Sequence, residues 1–169
     1  MILRGKARLV NPRDDVNTDY IIAYRYKFKS EDMKELAQHL FEDIDTEFVK
    51  RIEPGDFVIG GSNFGCGSSR EQAPRVILAA GLGAVIAESF ARIFYRNAFN
   101  LGLPLIEAET SFIEEGDELE LDLDHGVLRD LSQQREAPIK PLPPVMQKLL
   151  ADGGLVEHLK RHGGFALGG

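Results

Sequence analysis

Tryptophan is absent from the 169 residues, and cysteine occurs once. A single cysteine excludes an internal disulfide. It equally excludes a four-cysteine zinc or iron–sulfur site held by this chain alone. Cluster-type metal chemistry would have to borrow its metal from another chain. Long apolar runs are also missing. The longest, around Val76 to Ala87, is broken by Gly81 and Gly83, short of the ~20 apolar residues a membrane-spanning helix needs. The stretch Met1 to Gly5 turns polar too early for the apolar core of a signal peptide. A soluble, reducing, cytoplasmic setting is expected, with no membrane partner. Basic residues are in deficit, 20 Lys and Arg against 27 Asp and Glu, a formal charge of −7. That balance argues against nucleic acid as a partner. What is present is a 43% hydrophobic content, enough for the core of one folded domain.

Along the chain, residues 2–10 have the β-branched, alternating pattern of a strand. A polar loop follows through Asn17-Thr18-Asp19, and Tyr20-Ile21-Ile22 reads as a short extended piece. Ser30 is a candidate cap for a helix bearing Met33, Leu36, Ala37, Leu40 and Phe41 at helical spacing. Phe57-Val58-Ile59, Ala84 to Ala87 and Leu103 to Ile106 read as buried strands. They are separated by helices expected over Gln72 to Ala80 and Phe90 to Asn100, the first starting near Pro74 and the second capped by Ser89. This β-α-β-α-β order is the pattern of a parallel α/β sheet. Glu118 to Leu123 alternates like a half-exposed strand and turns back at Asp124-His125-Gly126 into Val127-Leu128. Prolines 138, 141, 143 and 144 mark a rigid connector before helices at Val145 to Ala151 and Leu155 to Arg161. Residues 1–161 are read as one domain and 162–169 as a frayed tail.

The unusual stretch is Gly65-Cys66-Gly67-Ser68-Ser69-Arg70-Glu71, between a strand and a helix. Glycines there allow close approach of a ligand to backbone N–H groups, and a helix start favours an anion. Arg70 offers a bidentate clamp for a carboxylate or phosphate. The loop fails the dinucleotide pattern and the Gly-x-Ser-x-Gly elbow, because Arg70 stands where glycine is needed, and the Gly-Lys-Ser/Thr phosphate loop is absent. By itself it is an anion site with a serine, or a glycine-rich turn with a serine cap. His39, His125, His158 and His162 are scattered, show no ligand spacing and are read as surface residues, so no metal site is expected in this chain.

Three motifs occur in order: Asn17-Thr18-Asp19, Asn63 to Ala73, and Ser89 to Asn97. Together they resemble the small subunits of 3-isopropylmalate dehydratase and homoaconitase, two-chain relatives of aconitase, over nearly the whole chain. The resemblance implies a swivelling β/β/α domain like the aconitase C-terminal domain, an α/β fold with a mainly parallel core sheet and flanking helices. It implies a hydro-lyase active only with a large subunit, which carries a 4Fe–4S cluster as Lewis acid; this chain binds no cofactor itself. The substrate implied is a small di- or tricarboxylic acid. Ser68 matches the base that takes a proton from the carbon next to a carboxylate. Ser69 and Arg70 match substrate-holding residues, and Asp19 an active-site aspartate region. Ser89 to Asn97 is read as scaffold.

In this family the loop after the Asn-Thr-Asp motif helps to choose the substrate. Here Arg25, Lys27 and Lys29 alternate, and cations suit a third carboxylate. The expectation therefore leans to homoaconitase, in lysine biosynthesis, with the leucine-pathway 3-isopropylmalate dehydratase as the alternative. A noncatalytic carboxylate-binding regulatory module and a cluster-free serine hydrolase are the readings from other classes. The isolated chain is expected to self-associate through the surface built for the large subunit.

Overall fold

A computed structural model describes residues 1–26 and 29–162. One seven-stranded sheet runs in the order β4-β3-β2-β1-β5-β6-β7. Its strands are β1 (Ile2–Leu9), β2 (Phe57–Ile59), β3 (Ala84–Ala87), β4 (Leu105–Glu107), β5 (Glu118–Asp122), β6 (Val127–Asp130) and β7 (Arg135–Pro138). The central strand β1 divides the sheet. On one side β1, β2, β3 and β4 pair in parallel. On the other, β1, β5, β6 and β7 pair antiparallel. The two halves differ as their sequences do. β2 and β3 are apolar throughout and every residue in them is buried, as expected of parallel strands covered on both faces.

The helices are α1 (Thr18–Ile21), α2 (Met33–Ala37), α3 (Phe48–Arg51), α4 (Gln72–Ala79), α5 (Arg92–Leu101), α6 (Pro144–Ala151) and α7 (Leu155–His162). Among the described residues no helix is long and apolar enough to cross a membrane. The connection β2-α4-β3-α5-β4 is the α/β unit expected from the order of apolar strands and helical patterns. The loops leaving the C-terminal ends of β1, β2 and β3 meet at one edge, where open parallel sheets collect their ligands.

Several local expectations are corrected. Tyr20 and Ile21 are helical rather than extended, because the Asn17 side chain accepts the Tyr20 N–H and caps α1. Asp32, not Ser30, caps α2 by accepting from Lys34 N; Ser30 Oγ instead holds Asp32 N and Glu35. Ser89 caps nothing, since its hydroxyl accepts from Asn63 N at 2.7 Å and ties the β3 exit to the loop after β2. α4 starts at Gln72, with Pro74 in its first turn, where a missing N–H costs no helical bond. β7 was not foreseen; Pro138 ends this edge strand, a position that tolerates proline. His162 closes α7 rather than opening a tail; positions 163–169 lie outside the described residues. His158 is fully buried, against its reading as a surface residue.

Candidate active site

The glycine–serine–arginine loop is anchored from below by an aromatic chain. Phe64 is fully buried, with its ring 5.6 Å from Phe94, 6.0 Å from Phe90 and 6.4 Å from Phe41 in edge-on contacts. A buried phenylalanine contributes ~3–5 kcal/mol when judged by truncation, so this residue fixes the height of the loop over the sheet. Gly65 follows with φ +85°, and a Cβ there would lie 2.3 Å from Phe94 Cγ. Only glycine lets the backbone pass so close to the ring.

Lateral position comes from the loop after β1. Gly65 N donates to Val16 O at 2.7 Å, and Thr18 N donates to Cys66 O at 2.9 Å. The Thr18 hydroxyl donates to Ser68 O at 2.7 Å. Three bonds thus stitch Val16-Asn17-Thr18 to the segment that presents Ser68. Beyond this seam no described residue accepts a hydrogen bond from the backbone N–H groups of Gly67 to Glu71. These donors lead into the start of α4, and a run of unpaired N–H groups at a helix start favours an anion.

Arg70 is largely enclosed, its side chain 12% exposed. Its Nη1 donates to Asp19 Oδ1 at 2.8 Å and to Ile22 O at 3.0 Å, and the guanidinium lies 5.0 Å from the centre of the Tyr24 ring. Asp19 Oδ1 also accepts Tyr24 N. Nε and Nη2, the side-on fork that grips a carboxylate, bond to no described residue. Ser68 and Ser69 are exposed. A cleft of about 300 Å³ lies over this group, lined by Ser68, Ser69 and Arg70 on one wall and by Arg92, Ile93 and Asn97 on the other. A second hollow of about 640 Å³ shares Ser69 and Arg70 and extends to Met33 and Arg75.

The structure therefore brings Asp19, Ser68, Ser69 and Arg70 together. It does not bring Arg25 to them. Both Arg25 Nη atoms are held by the Asp43 carboxylate, at 3.0 and 2.6 Å. That bidentate bond keeps the Asp43 carboxyl below the usual range. Lys29 is exposed, with its ammonium 5.4 Å from the Tyr26 ring centre, and lines neither hollow at Arg70. Lys27 lies outside the described residues. Thr18, Arg92 and Asn97 were missed as site residues. Arg92 and Asn97 were read as scaffold, yet α5 leaves β3 at the same sheet edge as the Ser68 loop leaves β2. The strand–helix order alone carries that signal.

The lone Cys66 sits in the loop, and burial, the larger influence, with the nearby Asp15 charge pushes its thiol up. The site therefore offers serine hydroxyls and the side chains of Arg70 and Arg92 on one cleft, beside backbone N–H groups suited to an anion.

A family model described as the aconitase C-terminal domain matches residues 16–110. The chain is 52% identical over 150 residues to 3-isopropylmalate dehydratase small subunit 2 of Archaeoglobus fulgidus, covering 89% of this chain and 91% of that protein. It is 49% identical over 162 residues to the 3-isopropylmalate dehydratase small subunit of Caldicellulosiruptor bescii, covering 95% and 96%. The crystal structure of 3-isopropylmalate dehydratase (leuD) from Methanocaldococcus jannaschii superposes with a TM-score of 0.91 at 44% identity, over 96% of each chain.

Proposed function

The chain belongs to the aconitase C-terminal domain family, as the small subunit of an aconitase-type hydro-lyase, and from that premise we propose that it serves 3-isopropylmalate dehydratase. The names of its relatives support this reading. So does the state of the selector loop. The lean towards a tricarboxylate counted three cations, but the Arg25 charge is already neutralised by Asp43. A cation with a bidentate partner offers little to a third substrate carboxylate. Homoaconitate remains the second reading on one observation, the exposed Lys29, which has no carboxylate partner among the described residues.

Substrate enters the Ser68 cleft with one carboxylate on the free fork of Arg70 and on the N–H groups before α4. Ser68 Oγ takes the proton from the carbon beside that carboxylate. A hydroxyl is a weak base, so its alkoxide must be favoured by Arg70, Arg92 and the backbone donors in a site closed to water. The electron pair of the broken C–H bond forms the alkene as hydroxide leaves. Water then adds back in the opposite sense, and the serine returns its proton. When bound to the large subunit, a 4Fe–4S cluster supplies the Lewis acid for the departing hydroxyl. With one cysteine, this chain cannot supply the thiolate set of that cluster by itself. Its own contribution is the base, the carboxylate clamp and one wall of the cleft.

The carrying observation is the convergence of Ser68, Arg70 and Arg92 on one cleft. The test is a substrate panel on the reconstituted two-subunit enzyme. Isopropylmalate should be turned over with the higher kcat/KM, and this chain alone should be inactive. A higher kcat/KM for homoaconitate would overturn the substrate assignment. Activity of the isolated chain would overturn the shared site.

A further inference from the structure

The C-terminal helix pair carries a cluster that the proposed reaction does not use. His158 and His162 are four residues apart on α7 and so share one face, a turn apart. Their ring centres are 4.5 Å apart. Asp152 follows α6 and returns over that face through the turn at Gly153 and Gly154. Asp152 Oδ2 lies 2.6 Å from His158 Nδ1 and 3.1 Å from His162 Nε2. The three potential ligand atoms all lie within 4.8 Å of one another. Tetrahedral zinc, with ligands at about 2.0–2.2 Å, spaces its donors roughly 3.4 Å apart. A small opening of the Asp152–His158 contact meets that spacing.

We propose that Asp152, His158 and His162 form a binding site for a divalent transition-metal ion, best suited to zinc. Two imidazoles and one carboxylate form a borderline donor set that hard magnesium or calcium would not select. His158 is fully buried, with Nδ1 facing Asp152 and Nε2 without a partner among the described residues. Arg161 Nη1 approaches the other carboxylate oxygen at 3.4 Å and is 62% exposed, so it can swing into solvent when a metal arrives. His162 is 42% exposed, which leaves an entry path and a position for water or a fourth ligand.

The metal would staple α6 to α7 against α5, the helix that carries Arg92 and Asn97. The turn already docks tightly there, since a Cβ on Gly154 would lie 2.5 Å from Asn100 O.

Titration of the full, tag-free chain with cobalt(II) tests the proposal. One equivalent should give the visible bands of a tetrahedral ion without thiolate charge transfer, and zinc should displace it and raise Tm. His162→Ala, at an exposed position, should keep the far-UV circular dichroism and lose both effects, while His125→Ala keeps them. X-ray absorption of the zinc-loaded native chain should report two imidazoles with oxygen and no sulfur, a readout independent of any variant. Absence of the bands and of the zinc-dependent Tm rise in the native chain would overturn the site. So would their survival in His162→Ala, or sulfur in the zinc shell.

Discussion

Arg70→Lys separates catalysis from folding at one position. In the folded chain Arg70 commits Nη1 to Asp19 and Ile22 O, while Nε and Nη2 bond to no described residue and form the fork proposed for the substrate carboxylate. The fold's share is small. Asp19 is 56% exposed, so this ion pair is worth at most ~1 kcal/mol. The bond to Ile22 O adds ~1 kcal/mol. Losing both would lower Tm by roughly 4–8 °C in a chain of this size, and the lysine ammonium can keep one of them. The substrate's share is larger. Two charge-assisted hydrogen bonds hold a carboxylate on the fork, each worth ~1.5–3 kcal/mol. A lysine supplies a point charge and at most one of the pair. Arg70→Lys should therefore lower kcat/KM of the reconstituted enzyme by roughly 10- to 200-fold, at 1.4 kcal/mol per tenfold. Steady-state kinetics beside thermal unfolding reads both. A kcat/KM within about threefold of wild type, in a folded and assembled variant, would refute the clamp.

Gly65→Ala should destabilise the chain by ~2–4 kcal/mol in urea unfolding, from a left-handed backbone and overpacking against Phe94. Asp130 is buried beside Asp117, and burial first, then their shared hydrogen bond, raises its carboxyl to about 6. A raised carboxyl binds its proton more tightly in the folded state, so stability falls as pH rises from about 4 through 6. Asp130→Asn should raise Tm at pH 8, and the gain should shrink as pH falls towards 4; an equal gain at both ends would exclude this titration. On the proposed division of labour, in which the large subunit would hold the cluster, Cys66→Ala should leave the iron–sulfur absorbance of the assembled enzyme unchanged; its loss would contradict that division.

The loop of Gly65 to Glu71 was legible in the sequence because its chemistry is local. Glycine, serine and arginine between an apolar strand and a helix mark a turn that can also receive an anion. The buried strands β2 and β3 were legible for the same reason, being uniformly apolar. What escaped depends on partners distant in sequence. Arg25 looked like a free cation until Asp43, eighteen residues on, was found in its fork. Ser89 looked like a cap until Asn63 claimed its hydroxyl. Thr18, Arg92 and Asn97 join the cleft only because three parallel strands end at one edge. His158 and His162 looked scattered because Asp152, which unites them, belongs to the turn after the preceding helix.

The central claim is that Ser68 is the base of a site shared by two chains. Exchange of the substrate C–H proton with deuterium from solvent, measured on the assembled enzyme carrying Ser68→Ala, tests it most directly. The variant should assemble and bind substrate while exchange and dehydration fall together by at least ~10²-fold. Exchange at a near-normal rate would assign the base to another residue.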